Sequence, residues 1–276
     1  MNLETPPEEN IDYAPCAYGA SKLSFRGPAK VLSSPYVICL GGTETYGRFV
    51  DVPFPELVEK TSGIQTVNLG CVNAGLDVFL NDDEVLRMCM GAELVILQVP
   101  GAQNMSNRFY SVHPRRNDRF VGASALLRAI YREVDFTQFH FTRHLLSALQ
   151  ATCPQRFDLV RQELRDAWSA RMRSLAHRFD GRLMLLWLST HRPDEETICD
   201  SLEADPLFVN RDMLEAMKPY ICDCLEIIAT PADVAAGFDL LRFSGADAPA
   251  AREVFGPVVH AQTAQALCDR LPTVFS

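Results

Sequence analysis

The chain has 276 residues, 47% of them hydrophobic, which is enough for one large domain that needs no metal or disulfide to fold. Its formal charge of -9, from 35 acidic against 26 basic side chains, argues against nucleic acid as a partner, because a phosphate backbone selects basic surfaces. With no charged leader followed by an apolar stretch and no run of membrane-span length, a soluble, cytoplasmic protein without a membrane partner is expected.

Residues 1–33 carry no sustained period and read as an irregular N-terminal arm. Residues 34–276 read as a single α/β domain with a helical insertion at about 105–180. From Tyr36, strand-length apolar runs alternate with helix-length ones: "YVICLG", "PFPELVEKTSG", "IQTVNLG", "NDDEVLRMCMGA", "ELVILQV". That alternation predicts βαβ units in a sheet covered on both faces. Asn81 or Asp82 is placed to cap the second helix, and Gly91 to stop it. The segment "PGAQNMSNRFYSVHPRRNDRF" reads as a long polar loop, followed by helical spacing in "ASALLRAIYREV", "FTRHLLSALQAT" and "PQRFDLVRQELRDAWSARMRSLAHRF". The strand pattern resumes at "GRLMLLWLS", then come a short helix "NRDMLEAMKPY", a last strand "CDCLEIIA" and a terminal helix "HAQTAQALCDRL". The expected architecture is three-layer α/β/α with a mostly parallel, roughly five-stranded sheet. In the insertion, Leu159, Leu164, Trp168, Met172 and Leu175 form a stripe at helical spacing, read as core or as the surface of a homo-oligomer.

The nine cysteines are odd in number, contain no CxxC and lie partly inside apolar runs, so they read as reduced thiols. Cys222 and Cys224 alternate on one strand without supplying four ligands, and His140 and His144, four apart, lack the glutamate of H-E-x-x-H because Phe141 stands there. Neither a metal nor a cofactor is expected.

Open α/β sheets bind ligands at the carboxyl ends of their strands, which makes suspects of the loops after Leu40, Leu69, Val99 and Leu188. The first offers Gly42, Thr43 and Thr45, where a threonine hydroxyl serves as nucleophile or hydrogen-bond donor, or Thr45 merely caps the next segment. The second offers Gly70, Asn73 and Gly75, whose amides suit an anion or oxyanion; the third offers Gly101, Gln103 and Asn104. The polar loop adds Arg108, His113, Arg115, Arg116 and Arg119 among aromatics, a set that can fork onto phosphate, sulfate or carboxylate, with Arg143 and His144 as possible extensions. The other reading of these arginines is a solvated loop pairing with surplus acid.

These blocks bring a resemblance. "LGGTETYG", "NLGCVNAG", "VPGAQN" and "GPVVHAQTAQALCDRL" resemble, in order, the four blocks of the SGNH, or GDSL-like, hydrolase superfamily. The resemblance implies a flavodoxin-like sheet and an ester hydrolase or acyl transferase. It puts the nucleophile on Thr43, with Gly42 where an aspartate is usual, oxyanion donors on Gly70 and Gln103, and the base on His260. The acid that should orient the base falls on Pro257, which cannot serve. Either Glu253 or Asp247 replaces it, or hydrolysis is lost. The whole chain is also similar to a bacterial family of unknown function, through stretches such as "YGASKLSFRGP" and "EVDFTQFHFTRH", a likeness that implies no activity.

The leading expectation is an SGNH-like hydrolase or transferase acting on a polar, carbohydrate-like, anionic substrate. Two others stand beside it: a non-catalytic binder of an anionic sugar or nucleotide-like ligand, and a group transferase using a CoA thioester or sulfonucleotide donor.

Overall fold

The structure, a computed structural model, describes residues 11–32 and 35–274; part of the expected arm, 1–10 and 33, lies outside them. Five strands, β1 (Tyr36–Gly41), β2 (Gln65–Gly70), β3 (Leu94–Gln98), β6 (Leu183–Ser189) and β7 (Asp223–Ile228), pair in the order β2-β1-β3-β6-β7. Every pairing is parallel, so the expected α/β sheet is the one observed. Two more strands, β4 (Tyr110–His113) and β5 (Arg116–Ala123), form a separate antiparallel hairpin.

Alternation along the strands sends side chains to two cores, as a sheet covered on both faces requires. Val37, Cys39, Leu94, Ile96, Met184 and Leu186 meet helix α2 (Phe54–Ser62) and helix α12 (Pro257–Val274) on one face. On the other, Ile38, Leu40, Val67, Leu69, Val95, Leu97 and Leu185 meet α3 (Leu76–Leu80), α4 (Asp83–Met90), α6 (Thr142–Thr152) and α7 (Pro154–Arg178). Asp82 caps α4, accepting from the amides of Glu84 and Val85, and Gly91 follows its last turn. The remaining helices are short: α1 (Thr43–Tyr46), α5 (Ala125–Ile130), α8 (Glu196–Cys199), α9 (Arg211–Glu215), α10 (Pro231–Phe238) and α11 (Ala248–Ala251).

Two local readings are corrected. The polar loop folds as the β4–β5 hairpin, because Tyr110 and Val112 alternate inward; the buried Tyr110 hydroxyl donates to Gln103 O at 2.6 Å. His140 precedes α6 instead of sharing a helical turn with His144, whose ring stands edge-on to Phe139. Within the stripe Leu164, Trp168, Met172 and Leu175 are buried and Leu159 is 57% exposed, which leaves both readings of the stripe, core and oligomer surface, in place. Among the described residues no helix is long and apolar enough to cross a membrane, and no group of three or more His, Cys, Asp or Glu side chains is disposed to hold a metal ion.

Candidate functional site

All four suspect loops open into one cleft of about 450 Å³ at the carboxyl ends of the strands. It sits where β1 is flanked by β2 on one side and β3 on the other, the switch point at which open α/β sheets hold ligands. Gly42, Thr43 and Glu44 come from the β1 turn, Asn73 from the β2 loop, Gln98 to Gly101 with Gln103 and Asn104 from β3 and its loop, and Glu203 and Asp205 from the long connection after β6. The hairpin adds Asp118, the start of α6 adds Phe141 to Arg143, and the segment around α11 adds Glu253 and Val254.

The β1 turn is built around one oxygen. The Gln98 side-chain carbonyl accepts from Gly42 N at 3.1 Å, Thr45 N at 3.1 Å and Thr45 Oγ1 at 2.7 Å. Thr45 is therefore a fully buried brace, not a ligand group. Gly70 supports the same turn from below: a Cβ there would stand 2.2 Å from Tyr46 N, so only glycine lets β2 approach α1 this closely. Its amide donates to Asn68 Oδ1 at 2.9 Å and is not free to meet an oxyanion, which corrects its expected role.

Thr43 does face the cleft. Its hydroxyl donates to Asn73 Oδ1 at 3.2 Å and accepts from Asn73 N at 3.1 Å. Asn73 holds this pose in the left-handed region, φ 56°, which asparagine tolerates better than most residues, and its amide donates onward to Asp118 Oδ2 at 3.2 Å. Asn104 Nδ2 donates to Asn73 O at 3.1 Å while Asn104 Oδ1 accepts from Thr142 Oγ1 at 2.7 Å. Gly75 makes the close approach possible, since a Cβ would lie 1.6 Å from Asn104 O. Gln103 is 7% exposed on the cleft wall, and its buried Oε1 has no hydrogen-bond partner.

His260 does not meet Thr43. Its ring is 1% exposed and is absent from the cleft walls; Nδ1 accepts from the Phe54 amide at 3.0 Å, and the ring stacks on Phe54. An Nδ1 that accepts leaves the proton of a neutral ring on Nε2, and that atom stands 3.6 Å from Glu44 Oε2, beyond hydrogen-bond distance. The acid beside His260 is thus Glu44, neither Glu253 nor Asp247; Asp247 pairs with Arg48 at 3.2 Å. The Phe255 amide donates to both Glu44 oxygens, at 3.1 and 3.2 Å. The carboxylate of Glu44 faces the cleft and the imidazole of His260 stands behind it.

Five carboxylates, Glu44, Asp118, Glu203, Asp205 and Glu253, face two guanidiniums, Arg48 and Arg143, across the cleft. Asp205 is open to the water of the cleft yet ringed by protein atoms. That crowding pushes its carboxyl up to about 6, Glu44 and Glu253 push the same way, and Arg143 and His191 pull back. The hairpin arginines stay outside the walls: Arg108 pairs with Glu163, Arg119 stacks 4.1 Å over the Phe141 ring, and Arg115, Arg116 and His113 stand at the hairpin turn. His144 also lies outside, whereas Arg143 lines the cleft.

Sequence reasoning missed Gln98, Glu44, Asp118 and Asp205. Glu44 was legible as the residue between the two threonines of the turn, and Asp205 as part of the fourth suspect loop. The match of Asn73 to Asp118 across 45 residues had no local signal.

A family-level sequence comparison matches residues 1–275 to the family described as "Domain of unknown function (DUF6473)". No curated protein matches the chain. Among solved structures, the fold is similar to a Corynascus thermopiles (Myceliophthora fergusii) carbohydrate esterase family 2 enzyme plus carbohydrate binding domain, with 9% identity and a TM-score of 0.45. That likeness covers 90% of this chain and 69% of that one.

Proposed function

We propose that this chain, which belongs to the family of the domain of unknown function DUF6473, binds a neutral, polyhydroxylated, carbohydrate-like ligand in the cleft on an SGNH-like frame. The observation that carries the reading is the make-up of the walls. Side-chain amides of Asn73, Gln103 and Asn104, hydroxyls of Thr43 and Thr142, five carboxylates and two guanidiniums offer interleaved donors and acceptors, the pattern a hydroxyl-rich ligand needs because each hydroxyl both gives and takes. The carboxylate surplus favours a neutral ligand over the anion expected from the arginines, and Phe141, 42% exposed at the rim, supplies a flat apolar face.

Thr43 acts here as an orienting hydroxyl. An attacking hydroxyl needs a base, and its partner is the Asn73 amide, which is none, while the His260 ring accepts from the Phe54 amide and is absent from the cleft walls. A thermal-shift screen of neutral mono- and oligosaccharides against inorganic phosphate, sulfate and coenzyme A tests the reading. A sugar at 100 times its Kd stabilises by about 2.7 kcal/mol, a rise of roughly 5–10 °C for a chain of this size. A rise with phosphate, sulfate or coenzyme A and none with sugars refutes it. Full loss of p-nitrophenyl acetate turnover in Thr43→Ala, from a wild type that turns the ester over, restores the nucleophile.

A second reading, acid–base hydrolysis of the bound sugar, draws on the five carboxylates that line the one cleft, among them Asp205, whose carboxyl is raised by crowding. Sugar release that falls with a pKa near 6 and vanishes in Asp205→Asn separates hydrolysis from binding alone.

A further inference from the structure

The cleft does not end at Arg143. A second, more open cavity of about 760 Å³ adjoins it and shares Arg143, Glu203 and Glu253 with it, so the two form one continuous trough. Its floor is α6. Arg143, Ser147, Gln150 and Ala151 fall at i, i+4, i+7 and i+8 and line one face, while Leu145, Leu146 and Leu149 turn the opposite face into the core. At 1.5 Å per residue the floor from Arg143 to Ala151 extends the cleft by about 12 Å. Ser147 and Ala151 are short and exposed and leave the trough open, and no large apolar side chain other than half-buried Leu202 lines it, which suits a polar chain and not an apolar partner. At the junction, Arg143 is fixed by donating to Leu202 O at 2.5 Å, with Glu203 and Glu253 beside it, so charged hydrogen-bonding groups stand where one unit would pass to the next.

We infer that the ligand is an oligosaccharide of at least two units, with its terminal unit in the cleft beside Thr43 and Glu44 and the following units laid along α6 over Ser147 towards Gln150. The inference rests on the carbohydrate reading of the cleft and specifies its substrate class.

The test is calorimetric titration of the full chain with matched mono- and tetrasaccharides of glucose, galactose and N-acetylglucosamine. For the sugar that binds, the tetrasaccharide is expected to bind at least about tenfold tighter than the monosaccharide. Ser147→Trp and Ala151→Trp, both on the exposed face, are expected to remove that gain and leave monosaccharide affinity unchanged, with unaltered melting temperatures showing that both variants fold. Equal affinity for the two lengths in the wild type, or a length gain that survives both tryptophans, overturns the extended trough while the cleft reading stands. Binding of neither length refutes the carbohydrate reading, and the trough as an oligosaccharide site falls with it.

Discussion

Gln98→Met tests whether a single oxygen organises the β1 turn. The replacement keeps length and approximate volume but removes the acceptor of three donors. Gly42 is half-buried, so its amide finds water from the cleft; the Thr45 amide and hydroxyl belong to a residue with no exposed surface and do not. Each buried donor left without a partner costs about 1–3 kcal/mol, and the Thr45 hydroxyl recovers part of this by turning to the carbonyl one helical turn back. The expected loss is about 2–4 kcal/mol, read as a lower urea midpoint with an unchanged slope. Thr45→Val removes one of the stranded donors, so the double variant is expected to be less destabilised than the sum of the singles. A Gln98→Met protein within about 0.5 kcal/mol of wild type, or strict additivity in the cycle, refutes the account, because surface substitutions without such partners fall in that range.

Asp205→Asn is expected to stabilise the protein at pH 7–8 and not at pH 4. The folded carboxyl is raised to about 6 from 3.8, so the folded state holds its proton longer, and stability declines as pH rises through that interval and stays lower above it. Since the group is open to water, the gain is screened to the order of 1 kcal/mol, or about 2–4 °C in melting scans at the two pH values. Gly75→Ala puts a methyl group against the Asn104 carbonyl and is expected to cost about 3 kcal/mol in urea unfolding and to weaken sugar binding by displacing Asn104 from the cleft. His260→Phe strands the buried Phe54 amide and is expected to cost about 1–3 kcal/mol; unchanged stability would mean that the amide has another acceptor.

The sheet was legible because each central strand is an apolar run ended by glycine or small polar residues, and the position of the cleft followed from the sheet alone. Its contents followed less well. Thr43, Asn73, Gln103 and Asn104 sit in loops that sequence flagged, but the hairpin arginines, conspicuous as a cluster, lie outside the cleft, and their quieter neighbour Asp118 enters it. Strand alternation decides that outcome: in a hairpin, adjacent side chains point to opposite faces, so Asp118 and Arg119 part company, the first to Asn73 and the second to the Phe141 ring. Gln98 was hidden for the opposite reason, being the last residue of an apolar strand whose side chain turns back under the neighbouring turn.

The placement of His260 behind Glu44 bears directly on what the cleft is prepared to do. A histidine oriented by an acid presents a base to a hydroxyl nucleophile, whereas a carboxylate held by a backbone amide and backed by a buried imidazole presents a fixed acceptor. Thr43 is fixed in the same way by Asn73, on both its donor and acceptor sides. Groups already ordered before the ligand arrives lose little side-chain entropy on binding, so a cleft with this arrangement gains affinity and orientation from each ligand hydroxyl it meets. Attack on an ester needs a proton acceptor at Thr43 Oγ1, where the Asn73 side chain stands.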